Sequence, residues 1–169
     1  MVALPNFTDL VRTSIREGAD VIFSGAGLPL DLPKYLREEL PGELANKART
    51  KLVPIVSSGR AAAVLCKKWL MHYNYLPDGF VVEGPMAGGH LGFKPEVIDN
   101  PDFQLEKILP EVVNAVKPFE LEAGRRIPVI AAGGIYTGAD IAKYLNLGAS
   151  GVQMGTRFVA THECDADQA

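Results

Sequence analysis

The sequence is poor in the residues that build several common kinds of site. It has only two cysteines, Cys66 and Cys164, which lie far apart and form no CxxC pair. That leaves neither a disulfide framework nor a structural zinc centre to expect. Its three histidines, His72, His90 and His162, fall in no HExxH pattern, so no metal is expected. No GxGxxG follows an apolar run and no GxSxG elbow occurs, so a Rossmann dinucleotide site and a hydrolase nucleophile lack support. No apolar stretch approaches the ~18 residues that would span a membrane. The start, MVALPNFTDLVR, has no basic stretch ahead of an apolar one, so no signal peptide is expected. A net charge of −3 gives no broad positive surface, which argues against nucleic acid as a partner. The expectation is a soluble, cytoplasmic protein with a core of its own, since 47% of the 169 residues are hydrophobic and 22% charged.

What the chain does have is a regular alternation of short apolar runs and helical patterns. Phe7, Leu10, Val11 and Ile15 recur at helical spacing and stop at Gly18. The run from Asp20 to Ser24 then leads into Gly25-Ala-Gly27, and Leu32 to Leu40 reads as a short helix ahead of a polar stretch from Pro41 to Thr50. Further runs span Leu52–Ser57, Gly79–Glu83, Pro128–Ala132 and Gly151–Met154. Between them lie helices at about Arg60–Tyr73, from Leu105 past Val116, and after a capping-box pattern at Thr137–Asp140. Met1–Leu4 reads as the tail of one more strand. Strands without polar alternation, each followed by a helix, point to a parallel sheet covered by helices. An open doubly wound sheet and a barrel both fit. A complete (β/α)₈ TIM barrel needs roughly 250 residues. On the barrel reading, about five βα units plus a strand tail form an incomplete barrel, its C-terminal part.

The glycines mark one edge of that sheet. Gly25, Gly27, Gly84, Gly88, Gly89, Gly133, Gly134 and Gly155 all follow apolar runs, where α/β folds bind ligands. A strand-ending Gly-Gly also serves as a plain tight turn. Two such sites in consecutive units, Ala132-Gly-Gly134 and Gly155-Thr156, match the phosphate site built after the last two strands of a barrel. His90 stands in the glycine-rich loop at the same edge, and an imidazole exchanges protons near neutral pH. Glu83 ends an apolar strand, where a carboxylate needs an ion pair or a ligand. Ser24, Ser57 and Ser58 also end strands, with Ser58 read as a helix cap. Arg157 is read as meeting phosphate or forming an ion pair.

Three segments carry a resemblance. Glu83-Gly-Pro-Met-Ala-Gly-Gly-His-Leu-Gly92, Ile127-Pro-Val-Ile-Ala-Ala-Gly-Gly-Ile135 and Gly148-Ala-Ser-Gly-Val-Gln-Met-Gly-Thr-Arg-Phe158 together resemble the nitronate monooxygenase (2-nitropropane dioxygenase) family. They are also similar to its relatives, the flavin-dependent enoyl-[acyl-carrier-protein] reductases. The resemblance implies a TIM barrel that holds FMN without a covalent bond, with residues 1–169 forming part of that domain. The N-terminal strands and the C-terminal segment of the family would be absent, and assembly into a homo-oligomer is one way to complete it. It further implies that Gly133, Gly134, Gly155 and Thr156 hold the flavin phosphate. Glu83, Gly84, Ala87 and Gly88 would lie along the ribityl chain and ring, with Gly89 beside them among the cofactor-binding residues. His90 would be the catalytic base toward a nitroalkane. The implied reaction is oxidation of a nitronate or nitroalkane with O₂ to a carbonyl compound and nitrite. Alternatives are an NAD(P)H-dependent enoyl reductase and a non-catalytic phosphate-binding fragment.

Overall fold

The computed structural model describes residues 1–40, 49–90 and 92–165. Most of the polar stretch expected from Pro41 to Thr50 therefore lies outside the described residues. The elements in order are α1 (Phe7–Arg16), β1 (Val21–Ser24), α2 (Leu32–Glu39), β2 (Lys51–Val56), α3 (Gly59–Tyr73), β3 (Phe80–Glu83), α4 (Leu105–Ala123), β4 (Val129–Ala132), α5 (Gly138–Asn146), β5 (Gly151–Gln153) and α6 (Thr156–Val159). Two single turns of 3₁₀ helix, Pro95–Val97 and Pro101–Phe103, sit in the long connection before α4. The five strands lie side by side in sequence order and every pairing is parallel. Unbroken sequence order is barrel winding, since a doubly wound sheet reverses its strand order at a switch point.

Helix ends follow the chemistry of their caps. Ser58 Oγ accepts from the Ala61 amide at 3.2 Å to open α3. Thr137 and Asp140 form the expected reciprocal capping box on α5. Helix α4 runs past Val116 and through Pro118, closing at Gly124 with φ +63°. The proline is tolerated because residue 118 is exposed, so water can serve the carbonyl that it leaves without a partner.

The sheet has two unlike faces. On the outer face Leu52, Val56, Phe80, Val82, Val129 and Ala131 pack under α3 and α4, whose Leu65, Trp69, Leu109 and Val112 are fully buried. On the inner face Val53, Val81 and Ala132 form a second, small cluster with Ile55 and Ile130. Phe23, in register with Val53, is 52% exposed there. Pro54 falls where strand β2 changes neighbours: its ladder to β1 ends at Pro54 and its ladder to β3 begins at Ile55. One expectation is corrected. Met1–Leu4 forms a turn rather than a strand tail, tied down by the Val2 amide donating to the Gly25 carbonyl at 2.8 Å. A single backbone bond to a turn beyond the end of β1 continues no ladder.

Candidate functional site

All the expected site residues fall at the carboxyl ends of the strands, where two cavities open on either side of Glu83. The register explains the meeting point. Glu83 pairs with Ala132, and Ala132 with Gln153, so the last residues of β3, β4 and β5 project together toward the same space. Burial pushes the Glu83 carboxyl above its ordinary value, and among the described residues no cation pairs with it. The ion-pair reading of Glu83 therefore gives way to a half-buried acid facing open space.

The first cavity, about 490 Å³, is walled by Ala87, Gly88, Gly133, Gly134, Gly155 and Thr156. Its glycines are present for different reasons. Gly133 has φ +99°, and a Cβ there would lie 2.7 Å from the Ala87 backbone nitrogen, so the loop after β4 packs on the loop after β3 only if residue 133 is glycine. Gly155 has φ −117° and open space within 4 Å of a would-be Cβ, so neither conformation nor packing demands it. Among the described residues the amides of Gly134, Gly155 and Thr156 donate to no other backbone group. Free N–H groups, a threonine hydroxyl and glycines that leave the backbone uncovered suit a phosphate oxygen, so the residues present fit a phosphate-bearing cofactor. The start of α5 does not add to this, because the Asp140 carboxylate already accepts from the amides of Tyr136 and Thr137.

The second cavity, about 370 Å³, is lined by Ser57, Glu83 and His90 together with Leu28, Ile55 and Ala61. His90 is exposed at its rim. The loop before α4 folds back onto the end of β2, with Gly92 so close to Ser57 Oγ that a side chain would collide with it. On the opposite side, the turn after β1 is pinned by the Trp69 indole N–H donating to the Pro29 carbonyl at 3.0 Å.

Not every expected contact reaches a cavity. Gly84 and Gly89 line neither of these two; Gly84 is buried, and a Cβ on it would lie 2.8 Å from Leu105 Cβ. Arg157 stacks on Tyr136, 4.8 Å from the ring centroid, with Nη1 donating to the phenol oxygen at 3.3 Å, and forms no ion pair among the described residues. Ser24 is buried with its hydroxyl unpartnered among the described residues, and Ser58 caps α3. Cys66 is core, its thiol pushed up to about 12 by burial. Sequence reasoning missed Gln153, although two-residue alternation across the aligned strand ends would have found it. It also missed Leu28 and Ala61, which no local pattern marks.

A sheet wound in barrel order, with two cavities at its carboxyl edge, is the architecture of part of a (β/α) barrel, the edge at which such folds bind ligands. The nitronate monooxygenase family model matches residues 13–169, and the chain belongs to that family of flavin-dependent oxidoreductases. The chain is 42% identical over 94 residues to a nitronate monooxygenase of Paraburkholderia phytofirmans, a match covering 54% of this chain and 22% of the relative. Among solved structures, a FabK variant from Thermotoga maritima superposes with a TM-score of 0.72 at 33% identity, over 99% of this chain and 45% of that one. The nitroalkane oxidase of Streptomyces ansochromogenes gives 0.65 at 26% identity, over 90% of this chain and 38% of that one. The chain thus spans less than half the length of each of these proteins. Among the described residues no helix is long and apolar enough to cross a membrane, and no group of side chains could hold a metal ion.

Proposed function

We propose that this chain supplies the phosphate cradle and the proton-transfer residue of an FMN-dependent enzyme that oxidises small nitronates or nitroalkanes with O₂. One observation carries the reading: the glycine-walled cavity and the His90 cavity adjoin, with Glu83 belonging to both. Gly133, Gly134, Gly155 and Thr156 hold the cofactor phosphate through backbone amides and the threonine hydroxyl. Glu83, Ala87 and Gly88 lie along the path from that cradle to the His90 side. Bound FMN supplies the electron acceptance that oxidation of a nitronate to a carbonyl compound and nitrite requires. His90 takes the proton from the carbon beside the nitro group when the substrate arrives neutral, and Ser57, which lines the same cavity, orients the nitro oxygens.

The likeness to FabK over nearly the whole chain favours one other reading, a reductase of enoyl thioesters that draws on NAD(P)H. The visible spectrum of the purified protein after FMN is added tests the common part. Flavin bands that survive gel filtration support the cradle, and their loss in a folded sample sinks it as a self-sufficient site. Anaerobic mixing with NADH then separates the chemistries: rapid bleaching supports the reductase, and persistence of the bands with nitronate turnover supports the oxidase.

A further inference from the structure

We propose that Met86 is a peroxide-sensitive residue of the cavity lined by Gly133, Gly134 and Gly155, and that its oxidation to the sulfoxide weakens the hold on a phosphate-bearing ligand there. This rests on reading that cavity as the phosphate cradle. The placement of Met86 follows from how two loops interlock. Gly84-Pro-Met-Ala87 is a turn closed by the Ala87 amide, which donates to the Gly84 carbonyl at 3.1 Å. Two consecutive residues of that turn lie on two consecutive glycines after β4. A Cβ on Gly133 would meet the Ala87 backbone nitrogen at 2.7 Å, and one on Gly134 would meet Met86 Cβ at 3.0 Å and Cγ at 3.4 Å. Gly134 also has φ +70°, so glycine is favoured at 134 and the Met86 stem stays against its backbone. The sulfur is one bond beyond that Cγ, on a residue that lines the cavity and is 69% exposed.

A thioether is apolar and accepts hydrogen bonds weakly. Hydrogen peroxide changes that. The sulfur lone pair attacks one peroxide oxygen, the O–O bond breaks, and the sulfur gives up two electrons and keeps that oxygen. The other oxygen leaves as water. The product is a polar group carrying an acceptor oxygen on a flexible arm. Beside the Met86 stem, the Gly134 amide donates to no other backbone group among the described residues, and it is one of the donors the cradle offers a phosphate. A sulfoxide oxygen on Met86 competes for that amide and sets its own partial negative charge toward the phosphate. The remaining methionines lack this combination. Met71 is 74% exposed but sits on α3 and, like Met1, lines neither cavity, while Met154 lines the cradle but is partly buried.

The test treats the protein with hydrogen peroxide, maps the oxidised methionines by peptide mass spectrometry, and reads FMN affinity by fluorescence titration before and after. Oxidation at Met86 should weaken FMN about tenfold, and methionine sulfoxide reductase should restore the affinity. FMN present during the treatment should slow oxidation at Met86 and leave the rate at Met71 unchanged. Met86→Leu should hold one FMN affinity before and after treatment, whereas Met154→Leu should weaken as wild type does. Met86→Gln, with an amide oxygen at similar reach, should bind FMN more weakly than Met86→Leu before any peroxide is added. Unchanged affinity after complete oxidation at Met86, a loss that persists in Met86→Leu, or equal affinities of the Leu and Gln variants overturns the proposal and leaves the cradle standing. Untreated protein that is folded and takes up no FMN overturns the cradle, and the proposal with it.

Discussion

The two cavities flanking Glu83 are built from different materials. Part of one wall is backbone, where Gly134, Gly155 and Thr156 leave amides bare, and the other is lined by side chains, with His90, Ser57, Leu28 and Ala61. A stretch of bare backbone recognises shape and negative charge, and the acid that lines that cavity is Glu83, which it shares with the other. A side-chain wall can carry proton chemistry and can be altered one residue at a time. The contrast shows how such a site divides its labour: the cofactor is held by chain conformation, and selectivity and proton transfer are left to replaceable residues.

If that division holds, the largest effect should come from the side-chain wall alone. His90→Ala should lower turnover of neutral nitroalkanes by about 10²–10⁴-fold while flavin content, read from the visible spectrum, stays at the wild-type level. Flavin loss in this variant would break the comparison. Gly133→Val should strike both cavities, because its φ of +99° and its contact with Ala87 tie the loop after β4 to the loop that leads to His90. We expect a loss of stability on the order of 3 kcal/mol in denaturant unfolding, together with failure to retain flavin. Gly155→Val sharpens the distinction. With φ −117° and open space around it, the added side chain should leave unfolding unchanged and weaken FMN about tenfold, or ~1.4 kcal/mol, by fluorescence titration. Unchanged affinity would remove Gly155 from the cradle.

This pair of glycines also shows what the sequence could tell. All five strands, the Ser58 cap and the Thr137–Asp140 box were legible because each depends on local pattern: apolar runs, helical spacing, cap residues. The barrel order was not, because the same pattern fits an open doubly wound sheet and only the family resemblance pointed to the barrel. Both glycines looked alike in sequence because each follows an apolar run. Only the packing of one loop on another separates the glycine that the fold requires from the one it does not. Gly84 also follows an apolar run, and only the packing shows that its missing Cβ makes room for Leu105. Ala61 and Leu28 were invisible, since a cavity wall assembled from a helix start and a distant turn has no linear signature. The Met1–Leu4 strand failed because four apolar or small residues satisfy the pattern whether or not a neighbouring ladder receives them.

Glu83, which the two cavities share, gives the smallest and most discriminating effect. Burial raises its carboxyl pKa in the folded state. The folded protein therefore binds more protons than the unfolded chain between the ordinary carboxylate value and the raised one, and stability falls as pH rises through that window. Below the window the acid is protonated in both states and costs nothing. Above it the folded state carries the full cost of an unpaired, half-buried charge. Glu83→Gln removes the charge and keeps the shape. Its melting temperature should exceed that of wild type at pH 7, and the difference should shrink as the pH is lowered below the ordinary carboxylate range. Adding FMN should reduce the difference if the carboxylate meets a donor on the cofactor, because an ionised acid with a hydrogen-bond partner no longer bears the full desolvation cost. A difference that ignores pH would mean that Glu83 is solvated in the free protein, and the shared wall would then be a gap that water fills.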